Sequence, residues 1–281
     1  MRIRIAHSPD SDDAFMFYAL TAGKVETGNL QIEHVLADIE TLNREALKGT
    51  YEVSALSFHA YPYVAELYLV LPSGGSVGEG YGPVVVSREP LTTLKGKKVA
   101  VPGTLTTAYL VLKLYEPNFK EVLMPFDQIL QAVGEGQVEA GLVIHEGQLS
   151  YQDRGLRKVV DLGQWWKQQT GLPLPLGCNV VRKDLGLELV RKIESLVRAS
   201  VQYALDHREE ALTYAIEYAR DIREDLQKTD RFVGMYVNRR TLDYGEDGRQ
   251  AVRLLLQKGI EKGIIGAPMP ETIFSDEVRG P

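Results

Sequence analysis

The sequence predicts an α/β protein of two lobes, between which the chain crosses twice. Short alternating or fully apolar stretches, the pattern of strands, interleave with stretches of helical spacing. A motif also recurs: Gly49-Thr50-Tyr51-Glu52-Val53-Ser54-Ala55-Leu56 and Gly136-Gln137-Val138-Glu139-Ala140-Gly141-Leu142-Val143 share Gly-x-x-Glu followed by a small-residue strand. That likeness implies two similar lobes, with Ser57 and His145 ending equivalent strands on facing sides. Finally, Gly82-Pro83 and the proline-rich stretch 172–181 read as crossings. They divide the chain into a larger lobe, 1–83 plus 178–281, and a smaller lobe, 84–177, with a ligand cleft between them.

The chain has 281 residues, 44% of them hydrophobic and 25% charged, an ordinary soluble composition. Its net charge of −6, with no basic run longer than 95–98, leaves no electrostatic footprint for nucleic acid or an anionic membrane. A small molecule is the expected partner. Cys178 stands alone, which excludes an intramolecular disulfide and a thiolate metal cluster. The histidines are scattered without ligand spacing, so neither a metal nor an organic cofactor is expected. Residues 1–7 lack the apolar stretch of a secretory signal, and no segment approaches the ~18 apolar residues of a membrane span. A cytoplasmic location is expected.

In chain order, 2–6 alternates as a first strand. A polar loop follows over 7–13, then a helix over 14–20, and Asp10, Asp12 and Asp13 suit the positive end of that helix as caps. They also argue against an anion there and leave the loop able to accept hydrogen bonds from ligand hydroxyls. Strands over 30–35 and 53–58 flank a helix over 39–47, and 65–71 resumes strand character. The glycine-rich stretch 72–82 lacks the Gly-Lys-Ser/Thr ending of a phosphate loop and reads as a hinge or mobile flap. A strand over 83–87 follows the first crossing. The second lobe opens with a turn and strand over 94–102, and 103–109 leads into a helix to about 114. Small residues at that turn let backbone N–H groups point outward, and no carboxylate opposes them, so Thr106 and Thr107 make the expected anion site; simple N-capping is the alternative. A strand over 121–124 and a helix over 127–133 precede the stretch 137–148. Its apolar run, small residues at the start and glycine just past the end read as a short buried strand of a parallel sheet finishing on His145. Ligands of open α/β sheets sit at the carboxyl ends of strands. His145 is therefore either a packing group or a titratable one placed where such folds keep their chemistry. A strand over 157–162 and an aromatic helix around Trp165-Trp166 lead to the return crossing. Beyond it, Val190, Ile193, Val197, Val201 and Ala204 share a helical face, as do Ala211, Leu212, Ala215 and Ile216, and Val252, Leu255, Leu256 and Ile260. These helices are expected to cover the first lobe.

The whole chain resembles the 1,4-dihydroxy-6-naphthoate synthase family of the futalosine route to menaquinone, cytoplasmic enzymes with a type II periplasmic-binding-protein-like fold. The resemblance is carried by His7-Ser8-Pro9-Asp10-Ser11-Asp12-Asp13-Ala14-Phe15-Met16, Val53-Ser54-Ala55-Leu56-Ser57-Phe58-His59-Ala60-Tyr61, Gly80-Tyr81-Gly82-Pro83, Gly103-Thr104-Leu105-Thr106-Thr107-Ala108 and Gly141-Leu142-Val143-Ile144-His145-Glu146. It implies a substrate, cyclic dehypoxanthinylfutalosine, that carries an aromatic carboxylate spiro-linked to a former ribose. It also implies a histidine base, and substrate contacts from the 54–57 strand end and the turn at Thr106, Thr107 and Ala108.

From these residues, His145 is expected to remove a proton from a sugar hydroxyl, starting a retro-aldol-like scission driven by aromatisation. The Thr107 turn holds the carboxylate or an oxyanion, and Ala55, Leu56 and Ser57 position the opposite side. Ser54, Asp10 and His59 are lesser candidates; His59 is the runner-up base, with packing beneath the site as its alternative. Two other readings compete: chorismate dehydratase of the same pathway, and a cytoplasmic solute-binding or sensor protein for an aromatic carboxylate. A DNA-reading module has no room before the strand that begins at Arg2.

Overall fold

In the computed structural model, residues 1–219, 222–223 and 225–278 are described. The chain begins β1 (Arg2–His7), α1 (Ser11–Thr21), β2 (Gln31–Leu36), α2 (Ile39–Ala46), β3 (Val53–Ser57), α3 (Tyr61–Val64), β4 (Tyr68–Val70) and β5 (Ser76–Gly78). It continues with β6 (Val84–Ser87), β7 (Lys98–Val101), α4 (Thr107–Tyr115), β8 (Lys120–Leu123), α5 (Ile129–Gly134), β9 (Ala140–Val143), α6 (Gly147–Ser150), β10 (Arg157–Asp161) and α7 (Leu162–Thr170). The nine-residue β11 (Leu174–Arg182) precedes the helices α8 (Leu187–Asp206), α9 (Arg208–Ala215), α10 (Leu226–Tyr236), α11 (Arg239–Leu242) and α12 (Gly245–Glu261).

Two sheets result. One has the order β2-β1-β3-β11-β4, with β5 also on β11; the other is β10-β6-β9-β7-β8. Strands β1, β2 and β3 are parallel, as are β7, β8 and β9. β11 runs antiparallel to β3, and β6 antiparallel to β9. Both sheets are therefore mixed, where the sequence suggested parallel ones. The cause is directional: β6 and β11 follow directly on the stretches where the chain passes from one sheet to the other, so they start at the cleft where the parallel strands end. The repeated motif keeps its geometry as well, since Gly49 and Gly136, in the turns before β3 and β9, both adopt positive φ (68° and 73°).

Helical spacing in the last third of the chain translates into packing. Val190, Ile193, Val197, Val201 and Ala204 bury the face of α8 that lies on α1. Ala211, Leu212 and Ala215 are buried from α9, while Ile216 sits only partly covered beyond its end. α12 buries Val252, Leu255 and Leu256 against β11 and also reaches α4, so it covers more than the first sheet. Among the described residues no helix is long and apolar enough to cross a membrane.

The stretch 72–82 is not a flap. Ser73, Gly74, Gly75 and Val77 are buried, and β5 pairs with β11. Glycine is required by close approach: a Cβ on Gly75 would overlap the Tyr244 ring, and one on Gly78 the Tyr81 carbonyl. The helices α10 and α11, and the short α3 and α6, were not expected from the sequence.

At the carboxyl ends of β1 and β2, His7 Nδ1 donates to the Ser8 carbonyl (3.0 Å), so its Nε2 accepts from His34 Nδ1 at 3.1 Å. Burial pulls both imidazoles down to about 4 from 6.5. Between these values the unfolded chain protonates them while the fold keeps them neutral, so stability falls as pH drops through that window. Asp13 opposes this singly: burial raises it from 3.8 to about 6, so the folded state takes up its proton first and gains stability as pH falls between those values. We expect His34→Gln to flatten the loss of melting temperature between pH 7 and 4.5; parallel curves for variant and wild type would show that His34 titrates normally. We also expect Gly75→Ala to cost about 1–3 kcal/mol through overpacking. An unchanged melting temperature would instead mean that the loop yields freely.

Candidate active site

The carboxyl edges of the two sheets meet at one cavity of about 140 Å³. Its first-sheet wall is formed by Ser8, Asp10, Asp12 and Asp13 around the start of α1, and by Ala55, Leu56 and Ser57 ending β3. Facing these are Thr106, Thr107 and Ala108 at the start of α4, and Phe126, Ile144 and His145. β11 contributes residues 176–179, and Tyr236 closes the wall from α10. Ser54 and His59 are not among the lining residues. The Ser54 hydroxyl turns to the adjacent Ala55 carbonyl (2.9 Å). His59, 2% exposed, lies behind the α4 turn, with Nδ1 on the Thr106 carbonyl (3.2 Å). Burial holds its imidazole at about 4.

His145 lies beyond β9, which stops at Val143, in the turn that becomes α6. Its Nδ1 accepts the Gly147 N–H and its Nε2 faces the Phe126 carbonyl, both at 3.2 Å. A carbonyl only accepts and an N–H only donates, so the neutral ring carries its proton on Nε2 and its lone pair on Nδ1. The Phe126 ring meets it edge-on at 4.8 Å. Two hydrogen bonds tie this turn to helices packed on the first sheet: Ser11 Oγ donates to Glu146 (2.7 Å) and Tyr236 Oη to Gln148 (2.8 Å). A Cβ on Gly147 would come within 3.2 Å of His145 Cε1 and closer still to the Leu130 side chain, so these neighbours would have to shift to admit one.

The α4 turn is built to present backbone donors. Thr106 is the N-cap, its Oγ1 accepting the Tyr109 N–H (3.2 Å), and the Thr107 hydroxyl donates to the Leu176 carbonyl (2.5 Å). Both hydroxyls are thus committed within the protein. What remains for a ligand is the pair of first-turn N–H groups of Thr107 and Ala108, which have no intrahelical acceptor and lie at the positive end of the helix.

Asn43, fully buried on α2, was not apparent from the sequence. Its amide nitrogen donates to Ser57 Oγ (3.1 Å) and the Leu105 carbonyl (3.3 Å), while its oxygen accepts the Ser57 N–H (2.9 Å). Glu40, one turn earlier, accepts the Leu105 N–H (3.2 Å), and burial raises its carboxyl above the usual range. One helix therefore grips both the β3 end and the turn before α4. The available signal was a polar residue between Leu42 and Ala46 on the apolar stripe.

The aspartates do not act as the sequence suggested. Asp10 occupies the N-cap position of α1 without a side-chain cap bond, and Asp13 turns back to accept the Ser8 N–H (2.7 Å). Asp12 faces the cavity, and burial, then Asp13 and Asp10, push its carboxyl well up, towards the neutral acid. Among the described residues no lysine or arginine lines the cavity. Its one attraction for an anion is the α4 helix end.

The chain has relatives among known proteins. A family model described as menaquinone biosynthesis matches residues 3–261. A protein of Thermus thermophilus named 1,4-dihydroxy-6-naphthoate synthase is 47% identical over 97% of this chain and 98% of its own length. One of the same name from Streptomyces coelicolor is 39% identical over 96% and 97%. A crystal structure of a protein from Archaeoglobus fulgidus superposes with a TM-score of 0.91 at 49% identity, covering 94% of this chain and 98% of that one. The alkanesulfonate-binding protein of Xanthomonas axonopodis shares only 12% identity but a TM-score of 0.69 over 94% of both chains, so the fold is that of periplasmic binding proteins. With the match running through both sheets and every residue that lines the cavity, the chain belongs to the menaquinone biosynthesis family.

Proposed function

We propose that this enzyme is a carbon–carbon lyase of the cytoplasm that converts cyclic dehypoxanthinylfutalosine to 1,4-dihydroxy-6-naphthoate without a cofactor. The observation that carries the reading is the placement of an imidazole and a helix N-terminus in the lining of one cavity. The relatives' name supports the product of this reading.

In this reading the substrate carboxylate docks on the Thr107 and Ala108 N–H groups, and Ala55, Leu56 and Ser57 pack along the ring. The sugar-derived hydroxyls face the aspartate wall. His145 takes the proton of one hydroxyl at Nδ1, displacing the Gly147 N–H, while Phe126 keeps the ring oriented through Nε2. The oxygen left behind forms a carbonyl as the adjacent carbon–carbon bond breaks. The bond pair passes into the bicyclic ring, which becomes aromatic. The two lobes, 1–83 with 178–281 and 84–177, close over the ligand and exclude water.

With the purified protein and cyclic dehypoxanthinylfutalosine alone, we expect dihydroxynaphthoate to appear. His145→Ala should lower kcat by roughly 10²–10⁴-fold while the substrate still binds; undiminished turnover would remove His145 from the chemistry. Asn43→Ala should raise KM roughly tenfold by releasing Ser57 and Leu105. A variant with lowered melting temperature but unchanged KM would reduce Asn43 to a packing role.

A further inference from the structure

Asn179 lies on β11 opposite Ala55 and lines the cavity, yet it is 1% exposed. Its amide nitrogen donates to the Gly74 carbonyl at 2.8 Å and approaches Met16 Sδ at 3.6 Å. The amide oxygen has no partner. A flipped amide would set oxygen against the Gly74 carbonyl oxygen, so the orientation is fixed and the orphan is an acceptor. Such a group is costly to bury unsatisfied, and native structures supply a partner. The surroundings are shaped around this amide. Gly74 has φ +82°, and a Cβ there would come within 2.8 Å of Asn179 Nδ2.

The partner has to be a donor that carries no negative charge. Asp12 and Gly74 line the same cavity, α1 supplies both Asp12 and the Met16 that touches Asn179, and an acceptor oxygen placed there pairs with a hydroxyl and not with a carboxylate oxygen, which is itself only an acceptor. A carboxylate is drawn instead to the start of α4. Resting on the function proposed above, we propose that Asn179 is a substrate-binding residue whose amide oxygen accepts a hydrogen bond from a hydroxyl of the sugar-derived part of the substrate. That hydrogen bond fixes which way round the ligand lies, ring carboxylate on α4 and hydroxyls towards Asn179.

The experiment compares two ligands. KM is measured with cyclic dehypoxanthinylfutalosine, and Kd with 1,4-dihydroxy-6-naphthoate, which keeps the ring and carboxylate but lacks the sugar-derived part. We expect Asn179→Ala to raise KM roughly three- to tenfold and to leave the naphthoate Kd unchanged. Should that variant fail to fold, Asn179→Ser keeps a small polar side chain while drawing the acceptor oxygen back towards β11, and the same split is expected. An unchanged KM, or equal losses for both ligands, overturns the role of Asn179 while leaving the lyase intact. Absence of turnover by the wild type overturns the lyase reading and this inference with it.

Discussion

The amide of Asn43 is the interaction on which the rest of the site depends. Three hydrogen bonds from one fully buried side chain join the end of β3 to the turn that starts α4, which belong to different sheets. A group of this kind is either fully satisfied or strongly destabilising, so it tolerates only one relative placement of Ser57 and Leu105. Glu40 takes the remaining Leu105 N–H from the same helix. The Ser11–Glu146 and Tyr236–Gln148 hydrogen bonds do for the His145 turn what Asn43 does for α4. Each half of the chemistry is thus held by side chains from the opposite sheet's helices.

Charge is distributed along the cavity with the same economy. A cavity with several carboxyl groups and no cation is a poor receptor for a carboxylate unless part of its negative charge is withdrawn. Burial does this, raising Asp12 and Asp13 towards their neutral forms. The backbone supplies the positive pole: Thr106 and Thr107 spend their hydroxyls on Gly103, Tyr109 and Leu176, which leaves the first-turn N–H groups pointing at the cavity. A polarity results without any ionised base, positive at α4 and proton-rich near α1.

How much of this was legible in the sequence follows from the range of each interaction. Strand and helix periods are local, and so are turn glycines; the element order and the placing of Ser57, Thr106, Thr107 and His145 at strand and helix ends could be read from neighbours in the chain, while Ala55, Leu56 and Ala108 entered through the family resemblance. Asn43 and Asn179 could not, because what gives them meaning, Leu105 for one and Gly74 with Met16 for the other, arrives from distant segments. The glycine-rich stretch misled for the same reason. Glycine marks mobility or close approach equally well, and only the Tyr244 ring from the far end of the chain shows that Gly75 is close approach. His145 fell between the two cases: its type and position were legible, but its strand stops at Val143, and its orientation depends on the Phe126 carbonyl.

The fold by itself decides none of the chemistry, since a sulfonate-binding protein at 12% identity shares it. What the fold supplies is direction. Because β6 and β11 start at the cleft and the parallel strands end there, every chain reversal on that side leaves backbone groups and side chains at the cavity rather than in a sheet. A receptor can fill those positions with any donors that match its ligand. Here they carry an imidazole whose tautomer is fixed by two backbone groups, Phe126 and Gly147, neither of which can be altered by exchanging a side chain alone. A lone pair on Nδ1 is therefore a property of the turn between β9 and α6.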